Sequence, residues 1–222
     1  MNDTHPENLD RPSAQDGSAA VNRAAEDWKD AAGRNIPGVG LGELPIADDT
    51  ANLRQGPSLN DALLALLPLV GVWEGEGQAQ SADGEEYAFG QQLIFAHDGG
   101  EYLTFSSRTW RIPENGADAP AHAAADVREN GFWRISLKDD IEMTYTSSTG
   151  VVEIFYGEPY NERAWSLQSA STMVTERGPK NLGPGKRMYG LMPNNNLGWV
   201  DERLIDGEMR PFMSAELRRV AG

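Results

Sequence analysis

The stretch that decides the fold is GVWEGEG, residues 71–77, which places Gly71, Trp73, Gly75 and Gly77 at alternate positions. Successive side chains of a β-strand point to opposite faces of a sheet, so these four residues share one face. Glycine costs a strand interior about 0.5–1 kcal/mol relative to alanine, and it is typical of places where a strand bends or another backbone comes close. The stretch therefore predicts the first strand of a strongly curved sheet, with the large Trp73 side chain filling its floor.

The alternation of apolar and polar residues that begins at Gly71 continues to the end of the chain. Turn sequences such as ADG, HDGG, ENG, KDD and STG separate the candidate strands. About ten consecutive strands without an intervening helix favour an all-β fold, an antiparallel meander that closes into a barrel because closure removes exposed strand edges. A barrel of this size can hold one small ligand. The candidate strands are 71–80, 86–97, 101–112, 121–129, 132–139, 141–147, 151–158, 162–175, 186–193, 197–206 and 209–220.

A short helix is predicted immediately before the barrel, over about residues 59–66. Ser58 is a suitable N-cap for it, and Pro68 is expected to end it. Its apolar stripe would consist of Leu59, Leu63, Leu64 and Leu67. We expect this helix to cap one end of the barrel and to pack on Trp73.

Residues 1–56 differ in composition from residues 57–222, which form the predicted barrel. The first segment is rich in Ala, Gly and Pro and contains ten acidic and five basic residues. A helix over about 18–33 would present a face made mostly of alanine, which buries little apolar area. We therefore expect a largely disordered tail, which could engage a protein partner.

The overall composition argues against several classes of function. With 34 acidic residues against 19 Lys and Arg, the chain has a net charge of −15, which disfavours nucleic acid and anionic membranes as partners. The absence of cysteine excludes disulfides, thiolate nucleophiles and iron–sulfur clusters. The first residues lack a signal-peptide pattern, and the longest apolar run is shorter than the roughly 20 residues of a membrane helix. These features predict a soluble, cytoplasmic protein, and the chain carries none of the common hydrolase, zinc-protease or phosphate-loop motifs.

Three segments follow one another along the chain: LLPLVGVWEGEG (66–77), QQLIFAHDGGEYLTFSSRTW (91–110) and MSAELRR (213–219). Together they resemble the nitrobindin family, in particular its ferric-nitrobindin-like subgroup. Members of that family are ten-stranded calycin barrels of the fatty-acid-binding-protein type, with a Gly-x-Trp-x-Gly-x-Gly signature that residues 71–77 match. The resemblance covers about 58–220 and implies the same barrel.

The resemblance also implies a ferric heme b inside the barrel, with chemistry on nitric oxide or the isomerisation of peroxynitrite. The axial histidine of the family lies on the last strand, and the matching position here is Phe212. Phenylalanine has no lone pair to give to iron. The first loop also differs, since QAQSADGEE replaces the Tyr-Pro-Thr-Ile run of the heme-binding members. We therefore expect no cofactor and no metal, with heme b as the alternative.

Other side chains could serve a ligand in the cavity. His97 ends a strand beside the DGG turn, where it is either a structural residue or a substitute iron ligand. Lys186 and Arg187 follow LGPG and could bind a carboxylate head group, or they could be solvated charges. Arg108 shares strand parity with Tyr102, and an inward-facing arginine and tyrosine would bind an acid group as fatty-acid carriers do. Surface ion pairing is the alternative for Arg108.

Three functions remain open from the sequence. The first is a barrel that binds a small hydrophobic, amphipathic or carboxylate-bearing ligand, without a catalytic residue. The second is a heme-dependent peroxynitrite isomerase that uses another iron ligand. The third is an interaction protein in which the tail contacts the partner and the barrel is a scaffold.

Overall fold

The computed structural model describes residues 18–19, 21–23, 25, 45–80, 84–113, 125–179, 182–205 and 207–222. The chain divides into two compact units, Met1–Ile46 and Ala47–Gly222. In the first unit, the described residues between 18 and 25 are helical, whereas most of the predicted disordered tail lies outside the described residues. The second unit begins ahead of the predicted boundary at 57, because Thr50 pairs with His97 through two backbone hydrogen bonds of 2.8 and 2.9 Å.

The second unit is a closed antiparallel barrel in which each strand pairs with its neighbours in sequence and the last strand pairs with the first. This confirms the predicted all-β, ten-stranded barrel. Buried apolar side chains alternate with more exposed ones along most strands, so the core lies inside the barrel. The strands are β1 (Gly71–Gln80), β2 (Glu86–Ala96), β3 (Leu103–Arg111), β4 (Ala125–Ile135), β5 (Ile141–Ser147), β6 (Val151–Asn161), β7 (Ala164–Val174), β8 (Gly185–Leu191), β9 (Leu197–Ile205) and β10 (Glu208–Ala221).

The barrel closes where β10 runs beside the glycines of β1. Gly75 is paired with Leu217, and Gly77 is paired with Ala215. A Cβ atom on Gly75 would collide with the carbonyl oxygen of Glu216, and one on Gly77 would collide with the phenyl ring of Phe89 and the β10 backbone. The glycines are therefore required by the close approach of the closing strand, as their alternation predicts.

Strand β4 corrects one detail of the sequence prediction. The candidate strands 121–129 and 132–139, separated at ENG, are one continuous strand over Ala125–Ile135 where the structure describes them. Gly131 is paired with Phe105 on one side and Tyr145 on the other, and a Cβ there would lie 2.7 Å from the Cα of Tyr145. The glycine thus marks a close approach of β5 and not a turn.

A single 3₁₀ helix, Asp61–Leu69, precedes β1, and we call it the capping helix. Its N-cap is Asn60, whose side chain accepts a hydrogen bond from the backbone N–H of Ala62 at 3.0 Å, so the prediction of Ser58 is wrong. Pro68 lies within the last turn and does not end the helix. In the described part of the chain, no helix is long and apolar enough to cross a membrane.

The buried face of the capping helix also differs from the predicted stripe. A 3₁₀ helix has three residues per turn, so Leu63, Leu66 and Leu69 lie one above another, and all three are fully buried. Leu64 and Leu67 belong to the predicted stripe but are 57% and 36% exposed. The prediction assumed a period of 3.6 residues, so it was right for Leu63 but assigned Leu64 and Leu67 to the core in place of Leu66 and Leu69.

The end of the capping helix is held by side chains from three strands. The last carbonyl groups of a helix have no partner within the helix. Trp73 Nε1 donates to the Leu69 carbonyl at 2.8 Å, and Trp165 Nε1 donates to the Ala65 carbonyl at 2.9 Å. Arg219 Nη2 donates to the Pro68 carbonyl at 2.6 Å, and its guanidinium carbon lies 4.2 Å from the centre of the Trp73 ring. Trp73 is fully buried, as predicted, and this end of the barrel is closed.

We expect Leu66→Ala to lower the free energy of unfolding by about 2–5 kcal/mol, since it removes a fully buried side chain and leaves a cavity. The matched control is Leu64→Ala, which changes an exposed leucine of the same helix and should stay within about 0.5 kcal/mol of wild type. Urea unfolding of both variants measures the difference. Equal losses would show that the buried face is not the one set by the 3₁₀ period.

Trp73→Ala should cost about 3–5 kcal/mol, because it removes a fully buried indole together with its hydrogen bond to the capping helix. Thermal or urea unfolding followed by circular dichroism measures the loss. A variant of wild-type stability that has lost only ligand binding would show that Trp73 belongs to a binding site and not to the core.

Candidate ligand-binding cavity

A cavity of about 280 Å³ opens at the end of the barrel opposite the capping helix. Its lining includes Gln80, the last residue of β1, and Tyr87, near the start of β2. The capping helix leads into the other end of β1, so the helix and the cavity lie at opposite ends. The cavity is therefore the open mouth of the barrel.

The floor of the cavity contains a buried ion pair between β8 and β4. Nη1 and Nη2 of Arg187 donate to the two carboxylate oxygens of Glu129 at 3.1 and 2.7 Å. Nη2 of Arg187 also lies 3.3 Å from Oδ2 of Asp201 on β9. Burial opposes the charge on Arg187, but the neighbouring Glu129 carboxylate holds its pKa well above the ordinary value. Arg187 is thus a permanent buried cation.

A second arginine extends this pair into a network. Nη1 of Arg203 lies 3.0 Å from both carboxylate oxygens of Glu153, and its Nη2 donates to Asp201 Oδ2 at 2.8 Å. The hydroxyl of Tyr145 donates to Glu153 Oε2 at 2.7 Å. Burial raises the pKa of Tyr145, so its phenol stays protonated and acts as a donor. We call Glu129, Tyr145, Glu153, Arg187, Asp201 and Arg203 the ionic cluster.

Two polar atoms of the ionic cluster are buried but have no hydrogen-bond partner among the residues that the structure describes. These atoms are Oδ1 of Asp201 and Nε of Arg203. Both residues line the cavity. An unpaired buried polar atom costs about 1–3 kcal/mol, so this arrangement favours a ligand or water that supplies the missing hydrogen bonds.

The walls and rim of the cavity differ in polarity. The described apolar side chains of the wall are Val151, Pro179, Leu182, Phe212 and Met213. At the rim, the guanidinium of Arg111 stacks 3.2 Å above the ring of Tyr87 and pairs with Asp126. Burial and the Asp126 carboxylate raise the pKa of Tyr87. The cavity thus combines an apolar wall with a charged floor.

Phe212 reaches the cavity because β10 is irregular at this point. Pro211 is paired with Glu202, whereas Met213 is already paired with Asp201, so Phe212 is an extra residue in a bulge. Phe212 is half-buried and lines the cavity together with Met213. The sequence alone leaves the orientation of Phe212 open, because the bulge breaks the strand parity.

Three residues predicted as possible ligand contacts lie elsewhere. Lys186 is on the outer side of β8, while its neighbour Arg187 points inward. Arg108 is exposed on β3, between the inward-facing Ser107 and Thr109. Tyr102 precedes β3 and donates its hydroxyl proton to Asp98 Oδ2 at 2.6 Å, which lowers the pKa of Asp98. The shared parity of Arg108 and Tyr102 therefore places both outside the barrel.

His97 lies next to the last residue of β2, at the end of the barrel where β1 begins. It is fully buried, and neither ring nitrogen has a hydrogen-bond partner within the described part of the chain. It does not line the cavity. His97 therefore lies beside the Thr50 bridge, away from the open mouth.

Of the ionic cluster, only Arg187 was predicted from the sequence as a possible ligand contact. The others lie on four different strands, and only Asp201 and Arg203 share a strand, so no local motif joins the cluster. The sequence did contain one signal of their burial, because each of these residues lies on the same face of its strand as buried apolar neighbours. Glu153 lies between Val151 and Phe155, and Asp201 follows Trp199.

The closed ten-stranded antiparallel barrel, open at one end, defines a calycin-type fold. Residues 62–219 match the family model described as "THAP4-like, heme-binding beta-barrel domain". The chain is 67% identical over 212 residues to the "Ferric nitrobindin-like protein" of Corynebacterium diphtheriae, a match that covers 96% of this chain and 92% of that protein. The chain therefore belongs to the nitrobindin family, in the ferric-nitrobindin-like subgroup.

Two further comparisons place the chain more broadly. It is 43% identical over 215 residues to "Peroxynitrite isomerase 2" of Rhodococcus jostii, covering 93% of this chain and 98% of that protein. The crystal structure of Rv2717c from M. tuberculosis superposes with a TM-score of 0.61 over 73% of this chain and 99% of that chain. At 22% sequence identity, this last similarity supports the fold alone.

Heme is the group that the family description implies, and the residues of this cavity do not fit it. Among the described lining residues there is neither a histidine nor a cysteine to ligate iron. The two lining tyrosines, Tyr87 and Tyr145, donate their phenol protons to carboxylates. Met213 has a thioether, which in cytochromes completes a site together with histidine. The cavity of about 280 Å³ is also smaller than the roughly 300–1,000 Å³ pockets that hold drug-sized ligands.

The buried tyrosines predict a loss of stability at alkaline pH. Tyr189 lies beside Arg187 on β8, and burial raises its pKa to about 12 from the ordinary 10.0. The folded state keeps this proton where the unfolded chain loses it, so stability is full below pH 10 and falls as pH rises from 10 to 12. Burial also raises the pKa of Tyr145, so this residue likewise contributes to the loss of stability at alkaline pH.

We expect Tyr189→Phe to reduce the alkaline slope of the unfolding free energy by about 1.4 kcal/mol per pH unit, the contribution of one proton. Urea unfolding below pH 10 and between pH 10 and 12 measures this slope. The same substitution at Tyr156, which is 45% exposed, is the control. Equal slopes in the two variants would contradict the prediction.

Proposed function

We propose that this protein binds one small amphipathic molecule in the mouth of the barrel. The observation that carries the proposal is the pairing of an apolar wall with the ionic cluster in one cavity of about 280 Å³. The apolar part of the ligand packs against Phe212 and Met213, and its polar end faces Asp201 and Arg203. Ligand pockets are typically lined in this way, mostly apolar with a few placed polar groups.

We further propose that Phe212 is the reason that this barrel does not hold heme. Its ring occupies the mouth of the cavity and provides no lone pair for iron. Each described carboxylate of the ionic cluster below it is already paired with an arginine, so binding iron there would break an ion pair.

A second candidate function is a heme protein acting on peroxynitrite. It is favoured by the description of the matching family model and by the name of the relative from Rhodococcus jostii. For this chain it requires an iron ligand other than the residue at position 212 and a wider cavity than the one described above.

We expect 1-octanol to bind to the wild-type protein with one saturable site in isothermal titration calorimetry. Ser147 is the last residue of β5 and lines the cavity. Ser147→Trp should therefore abolish this binding, because the indole would fill the mouth. The matched control is Thr146→Trp on the adjacent, exposed position, which should bind as wild type does. Binding that survives in Ser147→Trp would place the ligand outside the barrel.

Phe212→His should gain hemin binding, seen as a sharp band in the Soret region, because it supplies the missing imidazole at the cavity mouth. The small cavity and the different first loop should keep this gain partial. Phe132→His, at an outer-face phenylalanine that is 48% exposed, is the control and should gain nothing. Stoichiometric hemin binding by the wild type with a sharp Soret band would contradict the proposal and favour the heme protein.

A further inference from the structure

The charges around the cavity do not balance. The ion pairs that line the cavity or lie directly beneath it comprise four carboxylates and three guanidinium groups, a formal excess of one negative charge that comes from Glu153 beneath the lining. The carboxylates are Asp126, Glu129, Glu153 and Asp201, and the guanidinium groups are Arg111, Arg187 and Arg203. A ligand that carried a further negative charge would be repelled in this low-dielectric interior.

The two buried arginines are also occupied by partners within the protein. Arg187 uses both terminal nitrogens on Glu129, and Arg203 divides its terminal nitrogens among Glu153, Asp201 and Tyr145. A carboxylate ligand makes its strongest contact as a bidentate pair with the two terminal nitrogens of an arginine. Neither buried arginine can form such a bidentate pair with a ligand unless an existing ion pair breaks, which is costly inside a protein.

Among the described atoms of the ionic cluster, one buried acceptor and one buried donor have no partner. Oδ1 of Asp201 can accept a hydrogen bond, and Nε of Arg203 can donate one. The side chains of Asp201 and Arg203 are only 3% exposed, and both residues line the cavity. A hydroxyl or a carboxamide carries both the donor that Asp201 Oδ1 lacks and the acceptor that Arg203 Nε lacks, since each group donates and accepts. An ammonium group donates only and would leave Arg203 Nε without a partner.

We infer that the ligand of this cavity has an uncharged polar end that both donates and accepts hydrogen bonds, such as an alcohol or a carboxamide, and is not a carboxylate. The inference rests on the proposed binding function and names the chemical class that it selects. It differs from the carboxylate-bearing ligand that Arg108 or Lys186 could have bound, since those two cations lie outside the barrel.

The volume of the cavity limits the length of the ligand. A water molecule takes about 30 Å³ in the liquid, so about 280 Å³ corresponds to roughly nine water-sized groups. An eight-carbon chain with one polar group is of this size. Compounds that share this eight-carbon chain differ only in the polar end, so their affinities compare head groups at a constant apolar contribution.

The experiment compares 1-octanol, octanamide, octanoate and octylammonium by calorimetry at neutral pH. We expect the alcohol and the amide to bind at least about tenfold more tightly than octanoate, which meets an excess of negative charge, and more tightly than octylammonium, which leaves Nε of Arg203 without an acceptor. Octanoate should bind more tightly as the pH falls and its carboxyl group becomes protonated. If octanoate or octylammonium binds most tightly, the inference is overturned while the proposed binding function stands. If none of the four binds, the proposed function itself fails.

Asp201→Asn tests the same inference from the side of the protein. It removes one negative charge and replaces a buried acceptor by an amide, so octanoate affinity should rise by about tenfold relative to octanol. Glu216→Gln removes one charge from the outer face and should leave the ratio unchanged. Thermal unfolding shows whether Asp201→Asn is folded, and the wild-type series with its pH dependence decides the question if it is not. An unchanged ratio in folded Asp201→Asn would contradict the role of this carboxylate.

Discussion

The close approach of β10 to the glycines of β1 is the contact on which the rest of the molecule depends. Side chains at positions 75 and 77 would keep the two strands apart, and the sheet would retain two open edges. Only a closed sheet turns the inward faces of β4, β6, β8 and β9 toward a common centre. The carboxylates and guanidinium groups on those strands can pair because the barrel closes.

Much of the fold was predictable because strand formation leaves a local signal. Alternating polarity and short turn sequences indicated the barrel, and the alternate glycines indicated the strand at which it closes. Two local sequence patterns led to wrong predictions. Gly131 was interpreted as a turn residue, but it accommodates the neighbouring strand. The leucines before Pro68 were assigned a period of 3.6 residues, whereas the helix has a period of three.

The candidate site was harder to predict because charged residues on strands are usually solvated. Glu153 and Arg203 are instead buried, and their pairing links residues that lie fifty positions apart in sequence. Such pairs are a poor source of stability, since desolvation offsets most of their attraction. Under the proposed function, their position beneath the cavity places them to meet the ligand. The bulge at Phe212 was likewise invisible, because it depends on the register between β9 and β10.

The hydrogen bonds that hold the capping helix have a consequence for how a ligand would enter and leave the barrel. The indole N–H groups of Trp73 and Trp165 donate hydrogen bonds to its carbonyl oxygens, and the guanidinium of Arg219 donates one to the carbonyl of Pro68 in the last turn. Lifting the helix would leave these buried donors unpaired while exposing three leucines to water. The barrel is therefore closed at the helix end, and under the proposed function a ligand enters and leaves past Phe212 through the open end. The rate of exchange should accordingly depend on the bulk of the residue at that opening and be insensitive to the stability of the helix.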